Sequence, residues 1–144
     1  MTRNGFTLIE LMVVIALMAL MAGAVVVTAA PAHDARADAA RLAGRLAAAR
    51  SEAIMTASPV AAWLSASGYG FERRRGGAWE ALDDKPFGQA DWREGVRLTS
   101  LEDGRQRLHF DALGMADAPA FFVFADETEE VSVRVAADGK VSVQ

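Results

Sequence analysis

Glu10 is the residue whose position most needs a chemical explanation. It follows the apolar Leu8 and Ile9 and precedes twenty residues, 11–30, that carry no charge and one polar side chain, Thr28. A carboxylate near the middle of a bilayer costs roughly 2.5–3.5 kcal/mol on insertion scales, and less towards the interface. We therefore expect a partner group to pair with Glu10.

A local hydrogen-bonding role for the same carboxylate is the alternative. Thr7 and Glu10 have the spacing of a capping box, in which the threonine is the N-cap and the glutamate reaches back to its amide. The helix macrodipole also favours a carboxylate in the first turn. This role explains why a glutamate is tolerated, and it is compatible with pairing to another group.

The apolar segment is long enough to be a membrane stem. At 1.5 Å per residue, residues 11–30 span about 30 Å, the thickness of the hydrocarbon core. The short leader, 1–5, carries Arg3, which the positive-inside tendency places in the cytoplasm. A cleavable secretory signal ending at the small residues 30–32 is the alternative, but its apolar run would be unusually long and would begin with Glu10.

The hexapeptide Gly5-Phe6-Thr7-Leu8-Ile9-Glu10 resembles the class III signal of type IV pilins and type II secretion pseudopilins. The resemblance implies that a prepilin peptidase cleaves between Gly5 and Phe6 and methylates the new amino terminus at Phe6. The apolar helix then stays attached. A free α-amino group titrates at about pH 8, so the Phe6 amino group of one subunit would be the counter-charge of Glu10 in its neighbour.

A second helical pattern follows Pro31. From 34 to 57, apolar residues recur every three or four positions, and four arginines lie towards the other side: Arg36, Arg41, Arg45 and Arg50. Pro59 is expected to stop this helix. We predict that it continues the stem as one long stalk, with an alanine-rich face suited to packing by a sheet.

From Val60 onward the hydrophobic period falls to two. The expected strands are 60–64, 69–74, 78–82, 96–101, 108–110 and 120–125, the last apolar on both faces and therefore expected to be central and buried. A helix followed by strands without alternation predicts an α+β fold, a long N-terminal helix packed on an antiparallel β-sheet domain. The predicted segments are a leader (1–5), a transmembrane stem (6–30), an amphipathic helix (31–58) and a periplasmic β domain (59–144).

The register of the last hairpin follows from its valines. A three-residue loop, 137–139, pairs Val135 with Val141 and places every valine of the hairpin on one face, whereas a two-residue loop separates the two rows. The three-residue loop predicts a left-handed Gly139 in a type I turn with a bulge.

The C-terminal half resembles the GspH-type minor pseudopilin domain. The resemblance rests on Phe110-x-x-x-Gly114, a phenylalanine-rich strand, and valine alternation closing on Asp138-Gly139-Lys140-Val141. It implies a minor subunit of a type II secretion pseudopilus.

Other residues that could bind ligands favour structural roles. The acidic cluster at 126–130 has too little loop structure for a calcium site, which needs about six converging oxygens, so a solvated turn is expected. Arg73–Arg75 are expected to lie at an exposed hairpin tip rather than to bind nucleic acid. His33 and His109 are expected to lie at the surface. The tryptophans are expected in the core or at a contact face: Trp63, Trp79 and Trp92.

The sequence thus predicts a non-enzymatic subunit with no cofactor and no metal. Its expected location is the bacterial inner membrane, crossed once, with the C-terminal domain in the periplasm. Expected partners are other pseudopilins and the prepilin peptidase. A minor pilin of a type IV pilus, for assembly or DNA uptake, is the alternative, but a net charge of −4 disfavours nucleic acid. An exported enzyme on an uncleaved anchor is the third possibility.

Overall fold

The computed structural model describes residues 8–28, 34–101 and 104–144, which form two units divided after Ala32. The first unit contains helix α1, Leu8–Thr28. Within the described ranges, no helix satisfies both the length and the apolarity needed to span a membrane. The junction between the expected stem and the amphipathic helix lies at 29–33, outside the described residues, so one continuous stalk stays a prediction.

The second unit begins with helix α2, Asp34–Met55. Its buried side follows the predicted spacing: Ala35, Asp38, Ala39, Leu42, Leu46, Ala49 and Ala53. The helix ends before Pro59, because Ala57 adopts a left-handed φ of 46°. The Ala57 amide donates to the Ile54 carbonyl and the Ser58 amide to the Ala53 carbonyl, which is the Schellman pattern.

Within residues 56–101 and 104–144, the structure has nine short strands after α2, and all of their pairings are antiparallel. They are β1 (Val60–Leu64), β2 (Gly68–Arg75), β3 (Ala78–Leu82), β4 (Ala90–Asp91), β5 (Arg97–Leu98), β6 (Gln106–Phe110), β7 (Ala120–Ala125), β8 (Glu130–Val135) and β9 (Val141–Val143). The first sheet has the order β3-β2-β1-β6, with β4 also paired to β2, and the second has the order β5-β7-β8-β9. The helix and both sheets share one core, so the predicted α+β class is confirmed.

The core lies between α2 and the inner faces of both sheets. Its largest fully buried side chains are aromatic residues from β2, β6 and β7, joined by leucines of α2: Tyr69, Phe71, Phe110, Phe122, Phe124, Leu42 and Leu46. Each such side chain contributes roughly 1.5–3 kcal/mol when it is removed from water. Burial on this side of α2 therefore joins the two sheets.

The strands differ from the expected ones in four respects. The sheet domain contains two sheets, and β4 is a strand that the sequence pattern did not predict. The strand expected at 96–101 is reduced to Arg97–Leu98. The expectation that 120–125 is buried on both faces is wrong, because Phe122 is fully buried while Phe121 is 50% exposed. The face of β7 that looks towards α2 is therefore the more deeply buried one.

The predicted C-terminal hairpin is confirmed. Val135 pairs with Val141, and the Gly139 amide donates to the Ala136 carbonyl over 2.8 Å. Gly139 has φ of 79°, in the left-handed region. A Cβ at this position would also lie 1.9 Å from the Gly114 carbonyl oxygen, so glycine is required both for its conformation and for its close packing.

Comparing Gly139→Ala with Gly95→Ala separates these two requirements. Gly95 has a similar φ of 85°, but a Cβ there meets no atom within 4 Å. We expect Gly95→Ala to lower the free energy of unfolding by about 1 kcal/mol and Gly139→Ala by roughly 2–4 kcal/mol. Urea unfolding of the full-length protein in detergent measures both losses. Equal losses would show that the contact with Gly114 contributes nothing.

Candidate functional site

The assembly residues predicted from the sequence lie in and before α1. Gly5 and Phe6, the predicted cleavage and methylation positions, lie outside the described residues. Glu10 occupies the first turn of α1, and its side chain is exposed. A carboxylate in this position is accessible to a cationic group supplied by another molecule.

The apolar side chains around Glu10 are also exposed. The large ones from 8 to 20 are at least 42% exposed on every side of the helix: Leu8, Ile9, Leu11, Met12, Val13, Val14, Ile15, Leu17, Met18 and Leu20. A helix that is apolar all round is stable when lipid or other protein surrounds it.

The acidic turn at 126–130 anchors the start of α2. Asp126 Oδ2 accepts a hydrogen bond of 2.9 Å from the Ala35 amide, while its Oδ1 accepts from the Thr128 hydroxyl and amide and from the Glu129 amide. The pKa of Asp126 is held well below its usual range by these hydrogen bonds. The largest effect comes from the Thr128 hydroxyl, followed by the Ala35, Thr128 and Glu129 amides. The expectation of a merely solvated turn is therefore incomplete.

A second ionic contact strengthens the same junction. Arg36 Nη2 lies 3.0 Å from Glu129 Oε2, so the first turn of α2 is tied to the turn between β7 and β8 twice. Among the described residues, no group of three histidine, cysteine, aspartate or glutamate side chains is arranged to hold a metal ion.

Asp38 anchors the long loop between β3 and β5 against α2. Its side chain is fully buried, its Oδ2 accepts from the Arg93 amide over 2.8 Å, and its Oδ1 lies 2.9 Å from Arg41 Nη2. Arg93 also pairs with Asp34 over 2.9 Å. A buried carboxylate with these partners fixes where the loop crosses the helix.

Of the four α2 arginines that the sequence pattern places towards the other side, Arg36 is exposed and the remaining three are half-buried. Three of them donate to loop carbonyls: Arg41 to Asp91 over 2.7 Å, Arg45 to Gly88 over 2.8 Å, and Arg50 to Gly114 over 2.9 Å. A guanidinium presents several donors on a long stem, so it can reach a carbonyl beyond the edge of the buried stripe. Helical periodicity places these residues towards the other side of the helix, but it does not reveal which backbone carbonyls they meet.

The hairpin tip and the histidine differ in part from expectation. Arg74 and Arg75 are exposed, but Arg73 turns inward and pairs with Glu52 of α2 over 2.8 Å. His109 Nδ1 lies 2.9 Å from Asp117 Oδ2. Burial raises the pKa of Asp117, but the hydrogen bonds from His109 outweigh it and the net direction is downward.

The three tryptophans differ in burial, and one of them occupies the expected core. Trp92 is buried and its indole N–H donates to the Ser65 carbonyl over 2.9 Å. Trp63 and Trp79 are half-buried on the first sheet.

Comparison with known families identifies this architecture. The family model of type II transport protein GspH matches residues 38–139, most of the chain. The chain belongs to the GspH family. Residues 1–26 match the prokaryotic N-terminal methylation motif. The predicted function, a minor pseudopilin of the type II secretion system, is confirmed by this membership.

Solved structures show the same fold. The minor pseudopilin EpsH from the type 2 secretion system of Vibrio cholerae has a TM-score of 0.66 at 18% identity, over 77% of this chain and 96% of EpsH. The type IV minor pilin FimU of Pseudomonas aeruginosa has a TM-score of 0.59 at 15% identity, over 76% of this chain and 87% of FimU. No curated protein sequence matches the chain.

Contacts of Arg50 give a physical reason for the two glycines, Gly114 and Gly139, that are part of the GspH-like pattern in the sequence. Gly114 and Gly139 both have left-handed φ values, 78° and 79°, and a Cβ on either would crowd Arg50. The Arg50 guanidinium donates to the Gly114 carbonyl, against which Gly139 packs. Arg50 therefore joins α2, the turn after β6 and the last hairpin, a role that sequence reasoning missed because its partners are distant in the chain.

Asp126→Ala tests the anchoring of α2. Because folding lowers the pKa of Asp126, its stabilising contribution is present above about pH 4, the usual carboxyl pKa, and is lost as pH falls towards the folded pKa. We expect Asp126→Ala to lower the Tm at pH 7 and the difference from wild type to shrink at pH 3. Thermal unfolding of the full-length protein in detergent measures this. Glu127→Ala, in the same turn, is the control and should leave the Tm unchanged at both pH values.

Proposed function

We propose that this GspH-family protein is made as an inner-membrane precursor, processed after Gly5, and incorporated into a periplasmic pseudopilus beside other pseudopilins. The single membrane pass is formed by the apolar stem, 6–30, and the domain from 59 onward faces the periplasm. The observation that carries the proposal is Glu10, an exposed carboxylate in the first turn of a helix whose described large apolar side chains are all uncovered. The methylation motif over residues 1–26 supports the processing step.

The stem accounts for both the precursor and the assembled state. Its exposed apolar side chains are compatible with lipid before assembly and with neighbouring stems afterwards. Transfer between these environments changes little apolar exposure, so an additional interaction must favour the fibre. Pairing of charges between subunits provides such an interaction.

Glu10 would provide the charge and Phe6 its partner. Cleavage after Gly5 creates a new α-amino group, which is largely protonated at neutral pH because its pKa is about 8. An unpaired charge among apolar helices is costly, whereas a paired one is satisfied in a single relative position of the two subunits. The pair would therefore fix the register between adjacent stems. The prepilin peptidase would be the first partner of the precursor, and the chain itself would need no cofactor to pair its charges in the fibre.

Glu10→Ala separates processing from assembly. We expect the variant to be cleaved normally, with mass spectrometry giving a mature chain that begins at N-methylated Phe6, while co-purification with other pseudopilins falls about tenfold or more because the Phe6 amino group has lost its counter-charge. Glu10→Asp keeps the charge and should retain part of the assembly.

Two results would contradict the proposal. Normal co-purification of Glu10→Ala would remove the charge-pairing role. A wild-type chain that begins at Met1, or near Ala32 after signal-peptidase cleavage, would remove the pilin-like processing itself.

A type IV minor pilin is the second candidate, and the fold of FimU favours it. DNA uptake by such a pilin would require a basic surface. The net charge of −4, and a C-terminal hairpin with only Arg134 and Lys140, argue against nucleic acid as a partner. The GspH family model over residues 38–139 favours secretion over this candidate.

A further inference from the structure

One side of α2 carries a row of charged residues that holds a single loop. Asp34, Asp38, Arg41 and Arg45 are spaced by three or four positions and therefore lie along the same side of the helix. The loop that they meet comprises residues 83–96, which connect β3 to β5 and include β4. We call this loop the α2 strap.

The row and the strap are joined at four points. The contacts are 2.7 to 2.9 Å long, and they follow the two segments in opposite directions: Arg45 with the Gly88 carbonyl, Arg41 with the Asp91 carbonyl, Asp38 with the Arg93 amide, and Asp34 with the Arg93 side chain. The strap thus runs antiparallel to the first half of α2 and is held by one set of side chains.

The apolar side chains of the strap lie at the rim of the core. Phe87, Trp92 and Val96 are 7%, 9% and 8% exposed, whereas the buried apolar residues of α2, β1, β6, β7 and β8 are at most 2% exposed. The regular part of the strap is β4, which has two residues and pairs with β2. Lifting the strap would therefore leave the ladders of both sheets and their packing on α2 in place.

The charged contacts determine the position of the strap more than its stability. Asp38 is fully buried, and within the described part of the chain it is the only charged side chain that is buried. Its Oδ1 lies 2.9 Å from Arg41 Nη2. Removing a carboxylate and a guanidinium from water has a cost that offsets much of the attraction between them. Because water returns to Asp38 and Arg41 when the strap lifts, these charges oppose its opening only weakly.

Tyr69 lies directly under the strap. Its ring is stacked on the Trp92 ring, with the two centres 4.8 Å apart, and its backbone pairs with Ala90 of β4. These contacts help to keep Tyr69 fully buried. It is also the single tyrosine of the chain, so any reaction of a tyrosine reports on this position alone.

We infer that the α2 strap opens as a unit, with Asp38 as its latch, while the rest of the domain stays folded. In the open form the Trp92 ring leaves the core, Tyr69 becomes accessible, and the backbone of Gly68 and Tyr69 loses its partners in β4. Segments at the rim of a core that are held by few ladder hydrogen bonds open before the whole domain unfolds. Opening does not require the proposed function, because every contact involved lies within this chain.

Hydrogen exchange of the full-length protein in detergent tests the opening. Mass spectrometry compares a strap peptide, 86–94, which contains the hydrogen-bonded amides of Trp92 and Arg93, with a peptide from β8. In the wild type we expect the strap amides to exchange at least about tenfold faster than those of β8. Asp38→Ala removes the acceptor of the Arg93 amide and should accelerate strap exchange by about a further tenfold. Exchange in β8 should stay within about twofold of wild type.

Nitration of Tyr69 by tetranitromethane gives an independent measurement. A buried phenol is protected from the reagent, and the chain has no second tyrosine that could react. We expect Asp38→Ala to raise the nitration rate by about the same factor as it raises strap exchange, roughly tenfold, because both events require the same opening.

Asp111→Ala is the matched control. Asp111 Oδ1 accepts from the Leu113 and Met115 amides over 2.9 Å each, so this carboxylate also holds a loop by its backbone amides. The loop lies outside the strap. The variant should therefore leave strap exchange and Tyr69 nitration unchanged.

Four results would overturn the opening of the strap or the role of its latch. Equal exchange of the strap and β8 peptides in the wild type, a comparison that needs no variant to fold, would show that the strap opens only with the whole domain. Strap exchange that is unaffected by Asp38→Ala, or a rise of the same size in both peptides, would remove the latch. Faster strap exchange without faster nitration would show that Tyr69 stays covered. Each of these results leaves the proposed function untouched.

Discussion

The burial of one side of α2 is the contact on which both sheets depend. Four of its fully buried residues are alanines, which allow close approach, and the leucines Leu42 and Leu46 fill the space between the sheets. Neither sheet has another layer on its inner face among the described elements. A larger side chain in place of one of these alanines would therefore push the sheets apart as well as destabilise the packing of α2.

Polar contacts on either side of this buried stripe determine how the loops are arranged. Asp126 holds the start of α2, Asp38 the loop after β3, and Arg50 the two glycine turns near the other end. The contacts of Asp38 and Arg50 satisfy loop backbone groups, the Arg93 amide and the Gly114 carbonyl, and that of Asp126 satisfies the Ala35 amide in the first turn of α2.

Much of this organisation could be predicted from local pattern. The apolar period of α2, the valine alternation of β8 and β9, and the need for glycine at position 139 each depend on residues a few positions apart, and the structure confirms them. The division into two sheets, the half-exposed Phe121 and the partners of the α2 arginines depend on contacts between distant segments. Single-sequence periodicity carries no information about those contacts. The prediction of processing at the N-terminus has a different basis, because it rests on six adjacent residues that resemble a known processing signal.

In the proposed function the two units of the chain have complementary parts, since the stem would provide assembly and the sheet domain would provide the surface for specific contacts. The most direct measurement of this account is the fate of secreted proteins when the gene is deleted in the bacterium that encodes it. The account predicts that folded type II substrates accumulate in the periplasm and that the full-length chain restores their export. Unchanged export in the deletion strain, together with loss of pilus-dependent motility, would contradict it.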